Sequence, residues 1–107
     1  MVRTENDIEV DVADGATVVR LCGEVDAALR ERASAVLARI RAEGRPVVVD
    51  ACGTSFVDST GVAFLVRCAH ACAEAGLPLT LRDAPEQLAG VLDVLGLAPL
   101  FPRACPG

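Results

Sequence analysis

Three valines in a row, Val47-Val48-Val49, opened by Pro46 and closed by Asp50, constrain the fold more than any other feature of this chain. An unbroken β-branched run lacks the alternation of a strand with one wet face. It reads as a central strand covered on both sides. Such a strand needs crossover connections, and the flanking segments supply them. Before it, Leu29, Ala33, Val36, Leu37 and Ile40 fall on one helical stripe, with Asp26 placed to cap and Gly44 to stop the helix. After it, a loop from Asp50 to Asp58, rich in Gly, Ser and Thr, leads into a second helix from near Ser59 to Ala75, closed by Gly76.

The remaining elements follow from the same rules. Ile8, Val10 and Val12 alternate with Asp7, Glu9 and Asp11, the period-2 pattern of an edge strand with one solvated, charged face. Asp14-Gly15 turns the chain into a second strand, Thr17 to Cys22, before Gly23-Glu24-Val25-Asp26 breaks the pattern. Pro78 to Arg82 reads as a further strand. Asp83-Ala84-Pro85-Glu86 starts a third helix with Leu88, Val91, Leu92 and Leu95 as its apolar stripe and Gly96 as its stop. The tail after Leu97 has three prolines and room for one short extended piece. The order β-β-α-β-α-β-α in 107 residues predicts one α/β domain, a mixed four- to five-stranded sheet with three main helices and right-handed crossovers.

Composition removes several function classes. Hydrophobic residues make up 52% and charged residues 23%, too apolar for a disordered chain. All ten basic residues are Arg, and the net charge of -5 with almost no aromatic surface argues against nucleic acid. Five acids against one Arg in residues 1–14 hold most of that excess. No apolar run approaches the ~18 residues of a membrane span. Met1-Val2-Arg3 leads straight into acidic residues without a signal peptide, so the expected compartment is the cytoplasm. There Cys22, Cys52, Cys68, Cys72 and Cys105 are free thiols acting as small apolar residues. His70 between Cys68 and Cys72 makes no metal site, because position i+2 points away from i and i+4. No cofactor is expected.

The most informative stretch is Phe56-Val57-Asp58-Ser59-Thr60-Gly61-Val62. Taken alone, Asp-Ser-Thr-Gly before an apolar helix is most often capping chemistry. Ser59 would also sit among the free N–H groups at the positive end of a helix, which favour an added phosphate, while the like charge of Asp58 opposes it. Two enzyme readings fail. An aspartic protease places its Gly two residues after the Asp rather than three, and His70 lies about three turns from Ser59 on the same helix, too far for a hydrolase base. The second helix is apolar nearly all round, with Arg67 and Glu74 its only charges. In so small a domain this favours a partner on one side, over Phe64, Cys68, Ala71 and Cys72, slightly ahead of double-sided burial.

In its whole order of elements, from roughly Asp7 to Phe101, the chain resembles the STAS domain of bacterial anti-sigma factor antagonists. The carrying motifs are Leu21-Cys22-Gly23-Glu24-Val25-Asp26, Val48-Val49-Asp50, Phe56-Val57-Asp58-Ser59-Thr60-Gly61 and Leu95-Gly96-Leu97 with Leu100-Phe101. Each is weak alone; four in the right order at the right spacings are specific.

The resemblance implies a phosphorylation switch rather than an enzyme. Ser59 matches the serine that a partner phosphorylates, the partner being both serine kinase (a GHKL-type ATPase) and anti-sigma factor. The unphosphorylated antagonist binds it and frees a sigma factor, and a metal-dependent serine phosphatase resets the switch. By the same match Asp26, Asp58, Thr60 and Gly61 border the binding surface, with Glu24 and Val62 nearby. Thr60 replaces the commoner second Ser. The family's last helix is absent or vestigial in the Pro-rich segment 100–107, which would leave part of the sheet or first helix less covered and permit a weak homodimer in place of a monomer. A second reading is a STAS sensor or scaffold module outside any sigma pathway, which would form large assemblies in size-exclusion chromatography.

Overall fold

The computed structural model describes residues 7–25, 30–57 and 59–102. β1 (Asp7–Ala13) and β2 (Ala16–Val25) form an antiparallel hairpin. Its two turn residues, Asp14 and Gly15, both have positive φ, 55° and 75°, the geometry whose twist matches the flanking strands. β2 then pairs in parallel with β3 (Val47–Val57), and β3 in parallel with β4 (Leu79–Arg82). The mixed sheet has the order β1-β2-β3-β4, so β1 is an edge strand, as its charges foretold. α1 (Arg30–Glu43), α2 (Ser59–Ala75) and α3 (Glu86–Val94) complete the expected order.

Parallel neighbours demand crossovers, and the crossover helices bury one face of the sheet. Ile8, Val19, Leu21, Val47, Val49, Leu79 and Leu81 on that face close over Ala33, Val36, Leu37 and Ile40 of α1 and Leu65, Cys68 and Cys72 of α2. The α1 stripe thus matches its sequence pattern at four positions; Leu29 and Asp26 lie outside the described residues. Gly44, at φ 61°, takes the left-handed conformation that ends α1.

Four expectations need correction. β2 and β3 run on to Val25 and Val57, so neither a break at Gly23 nor a loop from Asp50 to Asp58 exists. Each strand is continued by pairing with the other, and Gly23, at φ 69°, accommodates the register irregularities beside it. The apolar girth of α2 is a matter of burial on both sides: Phe64 is 4% exposed, and Cys68, Ala71 and Cys72 are buried with it, because α2 packs on both β3 and α1. From Gly61 on, its exposed positions are Ala63, Arg67, His70, Ala73, Glu74 and Ala75, with Val66 half-buried, so no apolar partner face remains at Phe64. In α3 only Leu88 and Leu92 are buried; Val91 and Leu95 face out. Finally, the tail makes a 3₁₀ turn, Ala98–Leu100, and buries Phe101. The Leu81 N–H donates to the Pro102 carbonyl at 2.8 Å, along the outer edge of β4.

The other face of the sheet carries a row of alternating charge. Glu9 is the register partner of Arg20, Arg20 of Asp50, and Asp50 of Arg82, one residue from each strand. Arg82 Nη2 donates to Asp50 Oδ2 at 2.9 Å, and Arg20 Nη1 lies 3.6 Å from Asp11 Oδ2. Opposite charges directly across strands stabilise a pairing, while a one-residue slip would carry every member of the row into the core. Asp50 is 8% exposed, so its bond to Arg82 is the most shielded of the row. Asp50→Ala should lower stability by about 1–3 kcal/mol, the scale of one charge-assisted bond. Asp11→Ala, whose side chain is largely exposed, should change it by less than about 0.5 kcal/mol. Equal melting shifts for the two variants would contradict this ranking.

Candidate functional site

The continuation of β2 and β3 past the middle of the sheet creates the site. Glu24 pairs with Phe56 and Val25 with Val57. Two residues beyond Val57 the chain is already helical, since Ser59 is the first residue of α2. The backbone therefore brings the end of the Gly23-Glu24-Val25 segment beside the start of α2, at the carboxyl edge of two parallel strands. In open α/β sheets that edge is where sites form.

α2 opens with Ser59, Thr60, Gly61 and Val62, without an acid in its first turn. The first N–H groups of a helix have no partner within it and carry the positive end of its dipole. Gly61 and Val62 are buried beneath that turn. Of Glu24, Ser59 and Thr60 the backbone alone is described, and Asp26 and Asp58 lie outside the described residues. What the fold establishes is the convergence of two motifs separated by about thirty residues of sequence.

Sequence reasoning named three contributors but gave them the wrong setting. Phe56 and Val57 are strand partners rather than loop residues, and Gly23 is the hinge at which β2 changes register. The one available signal was the glycine itself, which inside a strand pattern marks a bulge or a bend.

The cysteine pair on α2 has no part in this edge. Cys68 and Cys72 are buried in the core while His70, between them, is exposed, so the three do not share a face. Burial, reinforced by the neighbouring Cys72, pushes the Cys68 thiol from 9.0 up to about 12, and burial raises Cys72 as well. Both are inert as nucleophiles or metal ligands at neutral pH. A thiol that deprotonates later in the folded than in the unfolded chain favours folding only while it keeps its proton. Stability should hold below pH 9, then fall as the pH rises toward about 12. Cys68→Ala should flatten that decline in alkaline denaturation curves; an unchanged slope would contradict the assignment.

Comparison with known proteins places the fold. The family profile described as "Mlab, STAS domain" matches residues 8–102. The fold is that of a STAS domain. The chain belongs to the STAS domain family. Among solved structures, a STAS domain protein of Planctomyces limnophilus, described as an anti-sigma factor antagonist, superposes with a TM-score of 0.79 at 24% identity, over 94% of this chain and 92% of that one. An anti-sigma factor antagonist from Mycobacterium paratuberculosis gives 0.77 at 20% identity, over 95% and 87%. The Bacillus cell-fate determinant SpoIIAA in its phosphorylated form gives 0.72 at 22% identity, over 92% and 91%. At these identities the likeness is one of fold. No curated protein matches the chain at the level of sequence. Among the described residues no helix is long and apolar enough to cross a membrane.

Proposed function

We propose that this chain is an anti-sigma factor antagonist switched by phosphorylation at Ser59. The observation that carries the reading is the pairing of Glu24 and Val25 with Phe56 and Val57, which leads directly into Ser59 as the first residue of α2. By the family resemblance, Glu24, Asp26, Asp58, Thr60, Gly61 and Val62 belong to the binding surface around the Ser59 hydroxyl. The fold shared with proteins described as anti-sigma factor antagonists supports the same role.

The mechanism follows from charge. In its unmodified form the edge binds an anti-sigma factor that is also a serine kinase, and the sigma factor is set free. A phosphate adds about -1.5 to -2 charge. The unpaired N–H groups of α2 tolerate it, so the modified chain stays folded. In a packed interface beside Asp58, however, the same charge repels acidic partner groups and carries an unfavourable desolvation, so the complex parts. A metal-dependent serine phosphatase restores the binding form. The protein is substrate and ligand, acting in the cytoplasm, and the chemistry belongs to its partners.

Incubation with the cognate kinase and ATP should add one phosphate by intact mass, and Ser59→Ala should abolish it. Ser59→Asp should weaken binding to the anti-sigma factor by at least about tenfold. Phosphate uptake by Ser59→Ala, together with undiminished binding by Ser59→Asp, would refute the proposal.

A further inference from the structure

β1 is an outer edge of the sheet, and α1 packs on it. Between the two runs a groove of about 370 Å³, near the lower end of the range for ligand sites. Ile8, Val10, Ala35 and Val36 form its apolar floor, and Arg32 and Arg39 stand along it. Arg32, Ala35, Val36 and Arg39 have the i, i+3, i+4, i+7 spacing of one helix stripe, so the two arginines repeat about 10.5 Å apart along the groove. Glu9 also lines the groove, but its carboxylate is held on the opposite face of the sheet, where Cys22 Sγ donates to Oε1 at 3.7 Å. Arg39 gives its Nε to Glu43, which leaves its paired Nη groups for a further carboxylate.

The other border of the groove is a strand edge. Asp14 and Gly15 close the hairpin on the Ala13–Ala16 pair, and in an antiparallel ladder every second pair exchanges hydrogen bonds. Ala13, Asp11 and Glu9 therefore bond to β2, while Val12 and Val10 turn their backbone groups outward. Val12 bears this out, since its N–H donates to the Asp11 side chain, Oδ1, at 2.8 Å. At Val10 the outward N–H and C=O border the groove. An extended segment laid here gains main-chain hydrogen bonds, and a helix does not. Its alternate side chains meet opposite charges: one set faces Arg32 and Arg39, the other flanks Glu9 and Asp11 on the far face. A second copy pairing antiparallel through β1 would bring Glu9 and Asp11 of both chains onto one face, so charge rejects it.

We propose that the groove between β1 and α1 is a second docking surface, taken by an extended segment of a partner protein with acids on its face toward α1 and bases on the other. The segment adds a strand to the edge of β1. Its side chains i and i+4, about 13 Å apart on one face, carry carboxylates to Arg32 and Arg39. An apolar side chain at i+2 covers Val10 and Ala35, and basic side chains at i+1 and i+3 stand beside Glu9 and Asp11. The charges of β1, which reject strands of its own kind, select this one. Ser59 opens α2 after β3, and β2 stands between β3 and this edge, so the surface stays available in either state of the switch.

The test is an NMR titration of the full chain with the synthetic peptide Thr-Glu-Lys-Val-Lys-Glu-Thr, acetylated and amidated at its ends. Saturable shifts should centre on Val10, Ala35 and Arg39, and the Val10 amide should exchange more slowly with solvent. The peptide Thr-Lys-Glu-Val-Glu-Lys-Thr has the same composition with the charges of its two faces exchanged, and it should bind about tenfold more weakly. An Arg32→Gln/Arg39→Gln double variant should lose a similar factor while melting near the parent, both residues being exposed. Glu43→Gln, which releases the Arg39 Nε, should bind more tightly than the parent, and Ser59→Asp should bind as the parent does. Absence of saturable shifts, equal affinity for the two peptides, undiminished binding by the double variant, or a concentration-dependent dimer of the free chain that protects the Val10 amide would each overturn the proposal.

Discussion

The parallel pairing of β2 with β3 is the constraint on which the rest depends. It sets which face of each strand meets the helices, and it runs the full distance from Thr17 and Val47 to Val25 and Val57. Two adjacent rows across the sheet show how it is held. Val10, Val19, Val49 and Leu81 form a row on the helix side, and Glu9, Arg20, Asp50 and Arg82 form the next row on the other. Apolar transfer favours the first against the helices, and the attraction of opposite charges across strands favours the second on the other face. A slip by one residue would exchange the two, which neither could tolerate.

That register has a functional consequence because the two strands overrun the core. Past Arg20 and Asp50 the pairing continues through irregularities around Gly23, and it delivers Glu24 and Val25 to the residues that precede α2. No side chain of the proposed switch needs a rigid scaffold of its own. The scaffold is the sheet, and in the proposed switch the positive end of α2 is the environment offered to a phosphate on Ser59. Stability and switching are therefore carried by different parts of the same pairing.

The sequence made the element order legible because helices and strands here are strongly periodic and sharply punctuated. Gly44, Gly76 and Gly96 all adopt the positive φ that ends a helix or follows it, at 61°, 70° and 73°. The extent of β2 and β3 was hidden because Gly53, Thr54 and Ser55 have the composition of a loop; only pairing with a partner strand overrides that preference. The surroundings of α2 were hidden for a related reason. Periodicity reports how much of a helix is apolar, not whether a neighbouring helix stands ready to cover the second side, as α1 does. In α3 the pattern erred the other way: Val91 and Leu95 have the spacing of a core stripe but are exposed. Of the site, the motifs themselves were legible and their convergence was not, since it is a property of the β2–β3 register alone.

The charge of -5 has a place in this account. Most of it lies in residues 1–14, with five acids against one Arg, while the proposed surface adds Glu24, Asp26 and Asp58, the acids beside which a phosphate on Ser59 would stand. The central claim is that residues 24–26 and 58–62 act as one surface. Amide hydrogen exchange of the unphosphorylated chain, free and bound to its anti-sigma factor, tests it directly. The account predicts that both segments gain protection together on binding and lose it together when Ser59 is phosphorylated. Protection confined to one segment, or unchanged by the phosphate, would contradict it.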